Sequence, residues 1–419
     1  MNKRWTGILF FDQKITNFLL IVYFLFLTLL PLVSIISLII LTVYFFFTGK
    51  LSRSIHRIKN DWLIKVFLGY YLLHVFGMIY TSNLLYGFND LQTKLTFLII
   101  PIVFAGLNIS RNSFEWIKIT FIISSIVSLG ILFLISAKKY YFSSDINEFI
   151  YSQLAHNGHS TYLTIYFNLA MLFIQEKFYN KNKHFSTALT SVLFFFLYIG
   201  ILLLSARTAT IVTIISVVVY PLLLFGKKYF SMGKWLIHAF FLIVMTALFY
   251  IYLHYYNRFN QVEQEIVLRV ISDNADSLKL EEPNSTNIRL NIWKNSMELI
   301  KNSPVIGIGT GDLKEELVSI YKKNNYQYGI QKRISPHNQF LHTGVILGIV
   351  GILFLAAYLF LPMFYAFKKQ EWLYLIFLSI VIVNCMTESI LERESGILFF
   401  TAFNTYFYLY LKSENNKTQ

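Results

Sequence analysis

The sequence predicts an all-α, polytopic membrane protein of about 12 transmembrane helices. A large helical loop on the outer face is expected between helices 9 and 10. Three observations predict this class. The chain is 56% hydrophobic and only 14% charged, with 41 Phe and 28 Tyr, more apolar surface than a soluble domain can hide. Its apolar residues fall into runs of membrane-spanning length parted by short polar loops. One polar stretch, Tyr255–Pro336, is far longer than the others.

The start, Met1–Lys14, is polar and basic. The apolar run from Ile15 outlasts a signal-peptide core and has no small-residue cleavage site, so it reads as a retained first helix. Ile15–Phe47 is too long for one span and adequate for two short ones, turning at Pro31. A basic loop with Lys50, Arg53, Arg57 and Lys59 follows. Further spans are Trp62–Tyr80, Gly87–Leu107, Trp116–Ile135, Tyr162–Ile174, Thr187–Leu204, Thr208–Phe225 and Trp235–His254. After the long polar stretch come Asn338–Phe367, Trp372–Ser389 and Gly396–Leu411. The chain thus divides into 1–254 with nine spans, 255–336 as the loop, and 337–419 with three spans and a tail. No internal repeat, Pro-rich linker or low-complexity tract interrupts it.

Charge sets the orientation. With the N-terminus inside, the inner segments hold 18 basic residues against six acidic ones, and Tyr255–Pro336 holds 11 basic and 10 acidic. That is the positive-inside pattern. Most of the formal +14 is therefore topological, and nucleic acid is not needed to explain it. The single Cys385 lies in an apolar run, so no disulfide or cysteine-based metal site forms within one chain.

The long outer stretch is itself patterned. Ser285-Thr286-Asn287 offers N-caps to an amphipathic helix with Ile288, Ile292, Trp293, Leu299 and Ile300 at helical spacing. Pro304 and the Gly307–Gly311 turn end it, and Leu313–Lys323 reads as another short helix. The expected picture is helices lying over the bundle and roofing a cavity. The glycine turn follows no strand and lacks the Lys-Ser/Thr of a nucleotide loop, so it reads as structural.

Several polar residues collect on the outer face. His337, in Ser335-Pro336-His337-Asn338-Gln339-Phe340-Leu341-His342, stands where polar loop becomes apolar span. Pro336 suits the first turn of a helix, which would hold His337 rigidly, either as a general base or as an interfacial anchor. Arg207 lies in a tight turn between two apolar runs and has two readings: snorkelling to headgroups, or clamping an anion. Arg289 falls in the first turn of the roofing helix. His159 with Tyr162 reads as a sugar contact or as an interfacial pair. The last outer turn adds Glu388, Glu392, Arg393 and Glu394, and His342 reads as packing. No HExxH, paired carboxylates or nucleophile elbow appears, so neither metal nor cofactor is expected.

At these residues the chain resembles the O-antigen ligase and O-antigen polymerase superfamily of bacterial inner-membrane proteins. The resemblance rests on Ser205-Ala206-Arg207-Thr208, on Arg289-Leu290-Asn291-Ile292-Trp293 leading to Pro304–Gly311, on Pro336–Leu341 with Gly344 and Gly348, and on Glu392-Arg393-Glu394-Ser395-Gly396. It implies a metal-independent, inverting glycosyltransferase with its active site toward the periplasm and both termini in the cytoplasm. The implied donor is a glycan on undecaprenyl diphosphate. The implied acceptor is lipid A–core for a ligase, or a second lipid-linked glycan for a polymerase, with membrane lipids around it. By the same resemblance His337 deprotonates the acceptor hydroxyl, while Arg207 and Arg289 hold the diphosphate. His159, Tyr162, Glu392 and Arg393 are further substrate contacts to consider. The junction histidine and second arginine favour the ligase; polymerase is the alternative, and a transporter or flippase stays open as a different class.

Overall fold

The computed structural model describes residues 3–156, 158–179, 187–204, 207–224, 232–233, 235–236, 238–252 and 285–418. Among them all regular structure is helical, with no strand. Helices lie over every stretch expected to span. They are α1 (Lys3–Phe26), α2 (Pro31–Phe47), α3 (Leu51–Asn60), α4 (Trp62–Gly77), α5 (Leu84–Lys94), α6 (Thr96–Gly106), α7 (Arg111–Ser143) and the short α8 (Tyr151–Ala155). Then come α9 (Ser160–Tyr179), α10 (Thr187–Leu203), α11 (Arg207–Leu223) and α12 (His238–Tyr252). The chain closes with α13 (Ser285–Asn302), α14 (Leu313–Lys323), α15 (Gln327–Lys332), α16 (Gln339–Lys368), α17 (Trp372–Thr387) and α18 (Glu394–Thr418).

Local chemistry explains the helix starts. Pro31 opens α2, the Asp61 side chain caps Leu63 and Ile64 of α4, and Asn83 caps Tyr86 of α5. Among the described residues three stretches are long and apolar enough to cross a bilayer alone: Leu84–Gly106, α7 with 33 residues and α16 with 30. Other apolar helices, α4, α11, α12 and α17 among them, run 10–17 residues, and α2 with α3 forms a pair bent by 96°. The expected span Gly87–Leu107 falls on the stretch Leu84–Gly106, in which α5 runs on into α6 across a turn at Leu95.

The interior is aromatic. Phe399, Phe403 and Phe407 of α18 stack against Phe377 of α17 and Phe121 of α7, at centroid separations from 4.9 to 6.4 Å. Three buried hydroxyls show how backbone answers them: Tyr23 bonds the Leu398 carbonyl, Tyr166 the Ser395 carbonyl, and Ser34 the Tyr23 carbonyl. In a medium without water each such group needs a partner within the protein.

The polar ends sort into two groups. One joins Asp12 to Lys50, Arg53 to Asn108, Glu115 and Glu176 to Lys118, and Asp61 to Lys412. The other joins Tyr80 to Ile306, Ser82 and Asn83 to Asp312, Lys139 to His156, and His337 to Glu388. In the orientation expected from the charge count, the first set lies at the inner end and the second at the outer end, and the two ends are named accordingly.

The outer loop does more than lie over the bundle. α16 is broken at Gly348, whose φ is 62° and ψ −157°. Residues 304–309 fill the break: Ile308 and Gly309 N–H donate to the Val345 and Ile346 carbonyls, and Ile349 and Val350 N–H donate to Pro304 and Val305. A Cβ at Gly348 would come 2.4 Å from the Val305 carbonyl, and one at Gly307 2.4 Å from the Ile346 carbonyl carbon. Glycine is required at both, for positive φ and for close backbone approach. Beneath the roof, Leu299, Leu313, Leu317 and Tyr321 pack on Val345–Leu347 as a small second core.

Candidate functional site

Pro336 and His337 are not in a helix. Asn338 is the N-cap of α16, its side chain accepting from Leu341 N–H, and the helix starts at Gln339. His337 lies just outside, in the left-handed region at φ 47°. The expected helical start fails because Asn is the better cap, and Asn338 terminates the loop two residues after the proline. His337 is held by other means. A non-glycine residue in this region is strained by about 1–3 kcal/mol and persists only where its surroundings fix it.

Those surroundings are two. Trp293 Nε1 of α13 donates to the Pro336 carbonyl at 3.0 Å, tying the roof to the residue before His337. His337 Nδ1 lies 2.9 Å from Glu388 Oε1. Glu388 follows the end of α17; burial raises its pKa, but the bond and charge of His337, the charge of His159 and the Ser389 N–H together hold the carboxyl below its usual range. An ionised carboxylate only accepts, so Nδ1–H donates to it, and in the neutral ring Nε2 is then the acceptor. The His337 side chain is 34% exposed, against 14% for Glu388. The pair is half-dried and accessible.

His159 stands just before α9, half-buried, with its ring 5.4 Å from that of Tyr162. Burial lowers its pKa, Glu388 opposes, and Arg393 and His337 reinforce the lowering. These four groups are therefore close enough to sense one another. Tyr162 is buried and Arg393 exposed. Arg289 is half-buried on α13, four residues before Trp293 and hence on the same face. Arg207 begins α11; its side chain lies outside the described residues, as do Ser205 and Ala206.

Glu392 is engaged on all sides. Gln339 Nε2 donates to Oε1 at 2.5 Å, while Lys94 Nζ and His342 Nε2 meet Oε2 at 2.5 and 3.0 Å. His342, expected to pack, is instead part of an ionic cluster. Five residues past His337 it turns inward, and inward is where Glu392 sits. Sequence reasoning missed Glu388 as the partner of His337, and missed Lys94 and Asp90 altogether. Lys94 lies in a stretch expected to span; an ionisable pair there, Asp90 and Lys94 one helical turn apart, was the available signal. Among the described residues no three His, Cys, Asp or Glu side chains are grouped to hold a metal ion.

Comparison with known proteins adds one finding. A family model described as O-antigen ligase matches residues 192–356, the segment from α10 into α16 that contains Arg207, Arg289 and His337. No curated protein matches the chain. The family match supports the O-antigen ligase superfamily.

Proposed function

We propose, on the premise of that superfamily, that the chain is a membrane-embedded inverting glycosyltransferase of the O-antigen ligase type. It sits in a bacterial inner membrane with both termini cytoplasmic and the His337 end periplasmic. It moves a glycan from undecaprenyl diphosphate to a hydroxyl of lipid A–core, without a metal. The observation that carries this reading is the His337–Glu388 pair, strained, tied to α13 through Pro336, and with the His337 side chain 34% exposed.

The step balances as one displacement. His337 Nε2 takes the proton of the acceptor hydroxyl as its oxygen attacks the anomeric carbon from the face opposite the diphosphate. The anomeric C–O bond breaks, its electron pair leaves on undecaprenyl diphosphate, and the anomeric configuration inverts. Glu388 orients the ring and faces the imidazolium that forms. Arg207 and Arg289 take the charge growing on the diphosphate, which suits the bidentate guanidinium. Arg393, His159 and Tyr162 line the approach of the sugars.

The test is the purified full-length chain in proteoliposomes with a glycan on undecaprenyl diphosphate as donor. With lipid A–core present, free undecaprenyl diphosphate and glycosylated lipid A–core are expected together. Lengthening of the lipid-linked glycan in place of transfer to lipid A–core would make the protein a polymerase. Donor crossing the bilayer uncleaved would make it a flippase.

A further inference from the structure

Residues at the start of α16 cross, like a zipper, to the last outer turn. His337 bonds Glu388, and Asn338 Nδ2 donates to the Met386 carbonyl at 2.9 Å. Gln339 donates to Glu392 and accepts from Leu391 N–H at 2.8 Å. His342 closes the row on Glu392. The third side of this turn is α5. Lys94 Nζ lies 2.7 Å from both oxygens of Asp90 and 2.5 Å from Glu392, which is 298 residues away in sequence.

The Lys94 side chain has no exposed surface. An ammonium enclosed at membrane depth is tolerated only when paired, and apolar residues would fill the space without that demand. A lysine that served packing alone would grip a helix. Lys94 grips the 3-10 turn Ile390–Glu392, which begins two residues after Glu388. Between α17 and that turn, Glu388 itself is fixed by one backbone bond to Asn384 and by its side-chain bonds to His337 and Ser389 N–H. Whatever immobilises Glu392 immobilises Glu388.

We propose that Lys94 is a positioning residue for the transfer reaction: through Glu392 it fixes the turn that presents Glu388 to His337. Asp90 holds the ammonium from its own helix, one turn back, and Gln339 and His342 lock the same carboxylate from α16. The proposal rests on the reading of His337 as the base. It assigns α5, outside the segment that matches the family model, a part in the site.

The experiment compares Lys94→Met, Glu388→Gln and the double variant of the full-length chain in the proteoliposome assay. Folding is monitored by thermal unfolding in detergent. Lys94→Met is expected to lower kcat by about ten- to a hundredfold, the consequence of a slightly misplaced catalytic group. Its KM for donor and acceptor should stay within about twofold of the parent. The acid limb of its pH–rate profile should move in the same direction as that of Glu388→Gln, toward lower pH. The double variant should be no slower than Glu388→Gln alone, because both act through one contact. Glu392→Gln, nearly isosteric, should behave as Lys94→Met does, and it decides the matter by the same criteria should Lys94→Met not fold. Multiplying losses in the double variant, or an unmoved pH profile in a folded single variant, would overturn the proposal and leave Lys94 a bundle brace. Failure of the base reading shows elsewhere, as transfer surviving in His337→Ala.

Discussion

The two polar ends of the molecule are built from the same residue types and put to opposite uses. At the inner end Lys118, 2% exposed, bridges Glu115 of its own helix and Glu176 of α9. Lys177 joins Glu115, and Asp61 receives both Lys412 and the Tyr408 hydroxyl. Glu115, Lys118, Glu176 and Lys177 help to line a cavity of about 760 Å³, together with Arg111, Glu371, Trp372 and Tyr410. At the outer end the cation Lys94 is wholly enclosed, yet the titratable pair beside it is open to approach. On the proposed reading, cavity volume does not mark the reactive end. What would mark it is an acid–base pair held in strained geometry, a state that structural ion pairs have no need of.

The sharpest break of this comparison is His337→Ala. Transfer should fall by about a hundred- to ten-thousandfold, the loss of a general base. Thermal unfolding in detergent should hardly move, since the side chain is partly exposed. Retention of a tenth of parental turnover or more would remove the outer end's claim to the chemistry.

Lys118→Met at the inner end should do the reverse. It leaves Glu115 and Glu176 facing each other without their shared cation. The folded state should lose about 3 kcal/mol, the lower bound for breaking a buried pair because both carboxylates reach solvent. Turnover per folded molecule should stay unchanged. A loss of turnover without a loss of stability would place the large cavity in the reaction after all.

How much of this was legible beforehand follows from what each residue contacts. The helices α13 and α14 were readable because their apolar spacing and caps are local. His337 and Arg289 were found by position, and the family match covers both. Lys94 and Glu392 were not paired, because 298 residues separate them and nothing local to Lys94 points to so distant a partner. The break at Gly348 was equally silent: a glycine in an apolar run does not say that backbone from 304–309 will complete the helix. The helical start at Pro336 was a local inference that Asn338 defeated by capping two residues later.

A smaller effect appears in the pH dependence of stability. The Glu388 carboxyl has a lower pKa folded than unfolded, since His337, His159 and the Ser389 N–H together favour its charged form more than burial opposes it. Its contribution is thus present above the ordinary carboxylate range and lost as pH falls through that range to the depressed folded value. Thermal unfolding followed from neutral to acid pH should show a shallower decline in Glu388→Gln than in the parent. Identical slopes would mean that the two groups are not paired in the folded protein.

The smallest expected effect separates the roof from the base. Trp293 Nε1 donates to the Pro336 carbonyl at 3.0 Å, and its ring is half-buried. Trp293→Phe keeps most of the aromatic surface and deletes that donor alone. One neutral hydrogen bond contributes about 0.5–1.5 kcal/mol, and an accepting carbonyl half open to water recovers part of it from solvent. Global stability should therefore fall by no more than about 1 kcal/mol. The effect on turnover is expected to be larger than that figure alone suggests, since Pro336 precedes a strained His337 and carries the link to the helix of Arg289. A drop of about three- to tenfold in kcat, with thermal unfolding nearly unmoved, would show that α13 sets the position of the base. If kcat holds while the KM for the lipid-linked donor rises, the roof positions substrate through Arg289 and His337 is fixed by Glu388 alone.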